Sequence, residues 1–351
     1  MHCPAHSLQV LKRDLQTATA GYHQVHAGTG LFRFSVISAV QLGFAIWAWQ
    51  SQTWLAFVSL SAIAGLFYAF GFICTHDMMH HTLTGWRWFE TVIPRLLSWP
   101  MLWPYGLYAE LHRLHHGWNG INLQDPERVQ WTEAEYQAAS AWQRWYVRHQ
   151  WQIDIFLLAG LGMIAKTCHQ ALRLRSVSPR LKRQMLIDGT GILVTQIALL
   201  SLAAYYGVVL KYLLFWLVLE RVIGAVAQTR DHLEHYGLWQ QTDSYQLTQL
   251  YACRNLKTSK CVSWLMGGLN YHSVHHAFPT IPFDQLPQAF EQIQAVLKQH
   301  QLPPMQMGDG YFKETLWLLQ HPALIEDADL TKATERYYNT SAATPLPMKT
   351  A

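Results

Sequence analysis

The chain has 351 residues, 50% of them hydrophobic and only 14% charged, with a net charge of +4. A soluble domain usually carries about 25% charged residues, so the deficit points to a membrane or a very large core. No basic stripe alternates with stacking aromatics, which argues against nucleic acid as a partner. The five cysteines (Cys3, Cys74, Cys168, Cys253 and Cys261) are odd in number and form no CxxC, against a disulfide framework and a structural zinc site.

In chain order, the first thirty residues are polar and lack the basic-then-apolar layout of a cleavable signal peptide. Two apolar stretches follow, each close to the roughly 20 residues that a helix needs to cross a bilayer. With their flanks they predict spans at 31–50 and 54–75, joined by a tight "SQT" hairpin, and "HDMMHH" (76–81) comes directly after the second. "IPRLLSWPMLWPYGLY" (93–108), with three prolines and two tryptophans, reads as a broken segment at the membrane interface. "HRLHH" (112–116) follows, then "NLQDPE", where Pro126 makes a turn and Asp125 and Glu127 read as loop anchors. The apolar run "IDIFLLAGLGMIA" (153–165) has only 13 residues and reads as interfacial or re-entrant rather than spanning.

A second pair of spans is predicted at 187–207 and 210–228, with Gly207 and Lys211 at the turn. Glu220 and Arg221 interrupt the last span and should face protein or each other rather than lipid. "DHLEH" (231–235) and "NYHSVHHAFP" (270–279) come next, then a soluble amphipathic helix, "PQAFEQIQAVLKQH". The tail at 335–351 has a loose, flexible composition. This predicts an all-α integral membrane protein of one domain, 1–351. Four transmembrane helices in two hairpins, with interfacial helices, carry a cytosolic helical cap (76–186 and 229–320).

Lysines and arginines collect before Phe34 and between the hairpins, whereas the opposite side offers only Lys211. That asymmetry puts both termini and the cap in the cytoplasm. Parity agrees: with four spans all the histidine clusters emerge on one face, and a crossing by 153–165 would separate the first two from the last two.

Eleven of the nineteen histidines sit in those four short stretches. Helical residues three and four apart share a face, so His112, His115 and His116 point into one sector, as do His272, His275 and His276. His76 and His80 share a face at i, i+4, and His232 and His235 at i, i+3. Imidazole suits zinc, copper, nickel and iron. This many ligands exceeds the needs of one tetrahedral ion and matches two metals. Two adjacent redox metals can activate O2 for attack on unactivated C–H bonds. His81 falls off the 76/80 face, and His149, His169, His300 and His321 stand alone as surface or core residues. Asp77, Glu110, Glu234 and Asn270 are placed to support ligand tautomers.

These motifs resemble the membrane fatty acid desaturase superfamily: HDxxH, HxxHH with a downstream "DPE", and "NYHSVHHAFPTIP", with "RDHLEH" similar to an additional element of many members. The likeness runs from about Leu55 to Pro287. It implies a four-span fold whose cytosolic cap holds two iron ions. The ligands it implies are His76, His80, His112, His115, His116, His235, His272, His275 and His276, with His81 able to replace His80 and His232 a further candidate. No haem-binding HPGG is present, so the resemblance implies a separate electron donor, ferredoxin-like or cytochrome b5-like.

The resemblance implies, first, O2-dependent introduction of a double bond into a fatty acyl chain of a lipid. The alternative is a hydroxylase or ketolase acting on a carotenoid or an acyl chain. From another class, a histidine-rich membrane metal transporter would need polar groups along the bilayer midplane, where only Glu220 and Arg221 qualify.

Overall fold

The computed structural model describes residues 5–326; the tail expected to be flexible, 335–351, lies outside them. Among the described residues the strands amount to one parallel pair of two residues each, Asn255–Leu256 and Met307–Gly308. All else that is regular is helical.

After α1 (Ala5–Thr19), the first hairpin is α2 (Ala27–Gln50) and α3 (Trp54–Met79). Thr53 caps α3, its hydroxyl accepting from the Ala56 N–H at 3.2 Å. The proline-rich stretch breaks as its composition demands. Helix α4 (Arg87–Ser98) gives way to a tight turn, Leu102 takes a left-handed φ of +59°, and α5 (Tyr105–Trp118) starts beyond Pro104. The carbonyls of Trp99 and Pro100 accept from Gln196 Nε2, each at 3.0 Å.

The second hairpin comes after a helix, α6 (Ala159–Leu174), and consists of α7 (Pro179–Tyr205) and α8 (Val209–His235) turning at Gly207 with φ +66°. Lys211 Nζ donates to the Trp49 carbonyl at 2.9 Å, and Trp49 lies 6.1 Å from Phe57 and 5.8 Å from Phe215 between ring centres. The starts of α3 and α8 therefore lie together, and both helices run from that end to histidines at their other end. At 1.5 Å per residue each is about 40 Å long.

Among the described residues, four helices are long and apolar enough to cross a membrane: Ala27–Gln50, Trp54–Met79, Gln150–Leu174 and Pro179–Tyr205. Helix α8, expected to span at 210–228, is not one of them, because Glu220 and Arg221 interrupt its apolar run. The third of the four does not run straight. It breaks at Ala159, where φ is +44°, after a π-helical turn at Ile153–Leu158. Its first limb meets α8 near the histidine end, with Asp154 3.1 Å from His232. At the break it reaches Arg221, which donates to the Leu157 carbonyl at 2.7 Å and the Leu158 carbonyl at 3.2 Å. It then returns, and Lys166 pairs with Asp231 at 3.0 Å. From 231 to 221 is about 15 Å along α8, so this segment dips and folds back.

Glu220, Arg221 and Gln228 satisfy the break. The Leu161 N–H donates to Glu220 at 2.6 Å, and Gln228 donates to the Ala159 carbonyl at 3.1 Å. Backbone groups away from water need such partners. Gly224 permits the approach, because a Cβ there would lie 1.8 Å from the Gly160 nitrogen.

Helices α9 (Tyr245–Tyr251), α10 (His272–Ala277), α11 (Leu286–Gln299) and α12 (Tyr311–Gln320) lie at the histidine end, with further short ones at Glu133–Ala138, Ala141–Arg148 and Lys260–Leu265, and form the cap. Leu11 and Leu15 of α1 pack with Leu247, Val274 and Ile293 into its core, which holds α10 from behind.

Candidate metal centre

Four elements deliver histidines to one point. His76 lies in the last turn of α3 and His80 just beyond it; α5 carries His112, His115 and His116; α8 ends on His235; α10 carries His272, His275 and His276. The i, i+3 and i, i+4 spacings do here what helical geometry requires. All but the half-buried His80 are buried.

The nine rings divide into two sets. In the first, one ring nitrogen each of His76, His80, His112, His116 and His275 lies within 4.8 Å of the others; His235, His272 and His276, with the Cys253 sulfur, form the second under the same limit. His115 joins the second set, its Nε2 3.1 Å from that of His235, which is also 3.1 Å from His272 Nε2. Within the first set His112 Nε2 lies 3.1 Å from His76 Nε2 and 3.0 Å from His116 Nε2. The sets adjoin where His116 and His276 stack at 4.1 Å between ring centres.

The outer nitrogens fix which inner ones carry lone pairs. His112 Nδ1 donates to Glu127 at 2.8 Å, His115 Nδ1 to Asp125 at 2.9 Å and His276 Nδ1 to Gln249 at 3.0 Å. With the proton on Nδ1, each Nε2 presents a lone pair inward. The Nε2 atoms of His80, His275 and His276 are buried without a hydrogen-bond partner. Orphaned buried nitrogens crowded among other imidazole nitrogens are costly unless a cation sits among them. The donor set fits two metal ions of four or five imidazole ligands each.

Burial, reinforced by the neighbouring rings, holds His116, His272, His275 and His276 well below the usual imidazole value. Burial pulls His115 down too, but the Asp125 and Glu127 carboxylates outweigh it and push that ring up to about 9. Burial would raise Glu127, yet His112 and His115 hold it well below its usual range.

Several expectations are corrected. Asp125 and Glu127 are more than loop anchors: each accepts from a ring of the cluster. Glu110 pairs with Arg113 instead, and Asn270 bonds to Ser263 and the Leu256 carbonyl. His81 stands outside the cluster at φ +58°, bonded to Glu90 at 3.0 Å, because α3 ends before it. His232 turns away as well, its Nδ1 on the Gln228 carbonyl at 2.9 Å. Asp77 and Glu234 do lie near the rings, 3.6 Å from His76 Nδ1 and 3.4 Å from His272 Nε2. His149, His300 and His321 bond locally, to the Trp145 carbonyl, Asp14 and the Trp317 carbonyl, and His169 is exposed. Gln249 was missed, and no spacing pattern marks it. Cys253, also unforeseen, lies 3.8 Å from His235 Nδ1 and accepts from Asn119 Nδ2 at 3.2 Å.

A cavity of about 90 Å³ adjoins the rings, bounded at one end by His76, His112, His235 and His272. It extends between α3 and α8 past Phe72, Ile73, Ile223 and Val226 to Ala69 and Met101, and the Arg230–Glu234 ion pair lies on its wall at 2.6 Å.

Comparison with known proteins gives a consistent picture. Residues 52–307 match the family described as fatty acid desaturase. The chain is 25% identical over 248 residues to a Delta(8)-fatty-acid desaturase of Euglena gracilis, covering 65% of this chain and 58% of that one. It is 31% identical over 106 residues to a Delta(5) fatty acid desaturase of Caenorhabditis elegans, covering 28% and 23%. With a fatty acid desaturase of Bacillus subtilis the identity is 24% over 292 residues, covering 80% and 81%. The chain thus spans little more than half of the Euglena protein and under a quarter of the nematode one.

Proposed function

Because the chain belongs to the fatty acid desaturase family, we propose that it is an O2-dependent membrane oxidoreductase with a di-iron centre that introduces a double bond into a fatty acyl chain of a lipid. The observation that carries this reading is the cavity: a space lined largely by apolar side chains, with the Arg230–Glu234 ion pair on its wall, ends on four of the clustered imidazoles. A methylene chain and two metal ions would meet there.

When bound there, the two iron ions would supply the O2 chemistry that removes hydrogen from an unactivated methylene. The protein supplies position. Glu127, Asp125 and Gln249 keep protons on the outer nitrogens of His112, His115 and His276, so the inner lone pairs stay aimed at the metals. Phe72, Ile73, Ile223 and Val226 line a path for an extended chain and keep water from it. Whether a second hydrogen leaves or an oxygen is returned depends on where that chain is held. One double bond consumes one O2, two electrons and two protons and yields two waters. The electrons would come from a separate one-electron carrier, ferredoxin-like or cytochrome b5-like.

The membrane would be crossed by α2, α3, α7 and α8, with the 153–165 segment re-entrant and the histidine end cytoplasmic. The folding-back at Ala159 supports this, since a crossing there would leave His235 across the bilayer from His115.

The test is mass spectrometry of lipids and carotenoids from a host expressing the chain, beside a His276→Ala control. Loss of two hydrogens from an acyl chain, absent in the control, is expected. Gain of one oxygen, on an acyl chain or a carotenoid, would replace this reading with hydroxylation.

A further inference from the structure

Outside the long helices, exposed apolar side chains lie on α4 (Trp88, Val92 and Leu96) and on two further segments that pack against each other. Helix α12 turns Leu318 inward against Trp151, Ile155, Leu233 and Tyr236. Its outer face shows Phe312, 76% exposed, with Leu316 and Trp317, 54% exposed. Phe312 and Leu316, four apart, share one side. The second segment begins with the short helix Ala141–Arg148, where Trp142 and Trp145 stack outward at 4.7 Å between ring centres. It continues into the re-entrant turn, where Phe156 and Leu157 are 72% and 69% exposed. The two segments meet where Leu318 packs with Trp151 and Ile155, and the stretches that flank them are tied by the Ile325 N–H on the Trp131 carbonyl at 2.8 Å and the Glu133 N–H on the Ile325 carbonyl at 3.1 Å.

We propose that α12 and helix Ala141–Arg148 lie in the plane of the membrane, their outer faces immersed in the leaflet at the histidine end. The partner is lipid because the patch is continuous with a surface that already belongs to the bilayer. Leu157 is fastened through its carbonyl to Arg221, midway along α8, and Ile155, two residues before it, packs against Leu318 of α12. A water-facing cap helix has no reason to present a phenylalanine and a tryptophan outward. Tryptophan and phenylalanine beside Lys313, Arg144 and Arg148 make the mixed apolar and basic surface of helices that rest at the headgroup level. The expected cytosolic cap would thus meet the membrane along these two faces. The inference is independent of the reaction that the site performs.

The test uses the full chain in liposomes with the cysteines at 3, 168 and 261 changed to serine and one nitroxide label at a time. F312C, W317C and W142C are probed, with Leu193→Cys on α7 as the lipid reference and Asp309→Cys as the water reference. Collision with O2 and with a water-soluble nickel chelate is read from the power saturation of the spin signal. The three labels are expected to meet O2 in preference to the chelate, as at position 193. Chelate access equal to that at position 309 would overturn the proposal by putting the patch in water. Protection from both reagents would overturn it too, by putting a protein partner or a second copy of the chain there.

Discussion

Arg33 and Asp77 pair at 2.5 Å with their side chains 0% and 5% exposed. Arg33 comes from α2 and Asp77 from the histidine end of α3, and the guanidinium also lies 4.6 Å from the centre of the Phe283 ring. It donates to the Leu265 carbonyl at 3.4 Å. One buried cation therefore holds the first hairpin to the stretch that leads into α10.

Removing one partner of a buried ion pair leaves the other uncompensated and typically costs about 3–5 kcal/mol. Arg33→Gln is expected to lose stability on that scale, and adding Asp77→Asn should recover part of it. Thermal unfolding of the purified protein, followed by size-exclusion chromatography after heating, reads both. An unfolding midpoint for R33Q equal to that of the parent would show that the pair contributes nothing.

Metal binding should separate the carboxylates that touch rings from those that do not. Asp125→Asn and Gln249→Ala are each expected to weaken metal affinity about 10–100-fold, the usual cost of losing a hydrogen-bond partner behind a histidine ligand. Glu110→Gln should bind as the parent does, with two ions per chain. A titration against a competing chelator decides it, and an equal loss in all three variants would contradict the assignment.

Acid should destabilise the metal-free protein. An unfolded histidine titrates near 6.5, and His116, His272, His275 and His276 sit well below that when folded. As pH falls below about 6.5, the unfolded chain takes up protons that the folded one refuses. Each such ring then costs up to about 1.4 kcal/mol per pH unit. His115 works the other way. Raised to about 9, it contributes stability that is fully present below about 6.5 and is lost as pH rises through its folded value. Four rings outweigh one, so the unfolding midpoint should drop steeply from pH 6.5 to 5.5. A flat profile over that range would speak against buried neutral rings.

Gly224→Ala should disrupt the re-entrant turn. Its Cβ would lie 1.8 Å from the Gly160 nitrogen, and backbone cannot move aside as a side chain can, so the cost should reach about 3 kcal/mol. Gly189→Ala in α7 is the control: nothing lies within 4 Å of its Cβ, and Gly to Ala within a helix gains up to about 1 kcal/mol. Comparable midpoints for G224A and G189A would refute the close-packing argument.

What could be read from sequence was local. The spacing of His112, His115 and His116 fixes a helical face whatever the rest of the chain does, and the shortness of 153–165 already argued against a straight crossing. What escaped depends on residues far apart. Arg33 and Asp77 are separated by 44 positions, and His276 and Gln249 by 27, so no periodicity connects them. Asp125 and Glu127 were read as parts of a turn because "DPE" looks the same whether or not a ring donates to it. His81, off the 76/80 face by spacing, also lies beyond the end of α3 and bonds to Glu90. The exposed apolar face of α12, with Phe312, Leu316 and Trp317, escaped because a short stretch with Lys313 and Glu314 among its apolar residues resembles a water-facing helix.

The broken turn at Ala159 has one more consequence, for the order in which the chain is made. Its carbonyls at Leu157 and Leu158 depend on Arg221, 64 and 63 residues later. At about 5–20 residues per second of synthesis, Arg221 leaves the ribosome roughly 3–13 s after them. During that interval neither carbonyl has the guanidinium that donates to it in the finished fold. The earlier segment is positioned by the later one, and a nascent chain halted before residue 221 carries the first two histidine clusters without the last two.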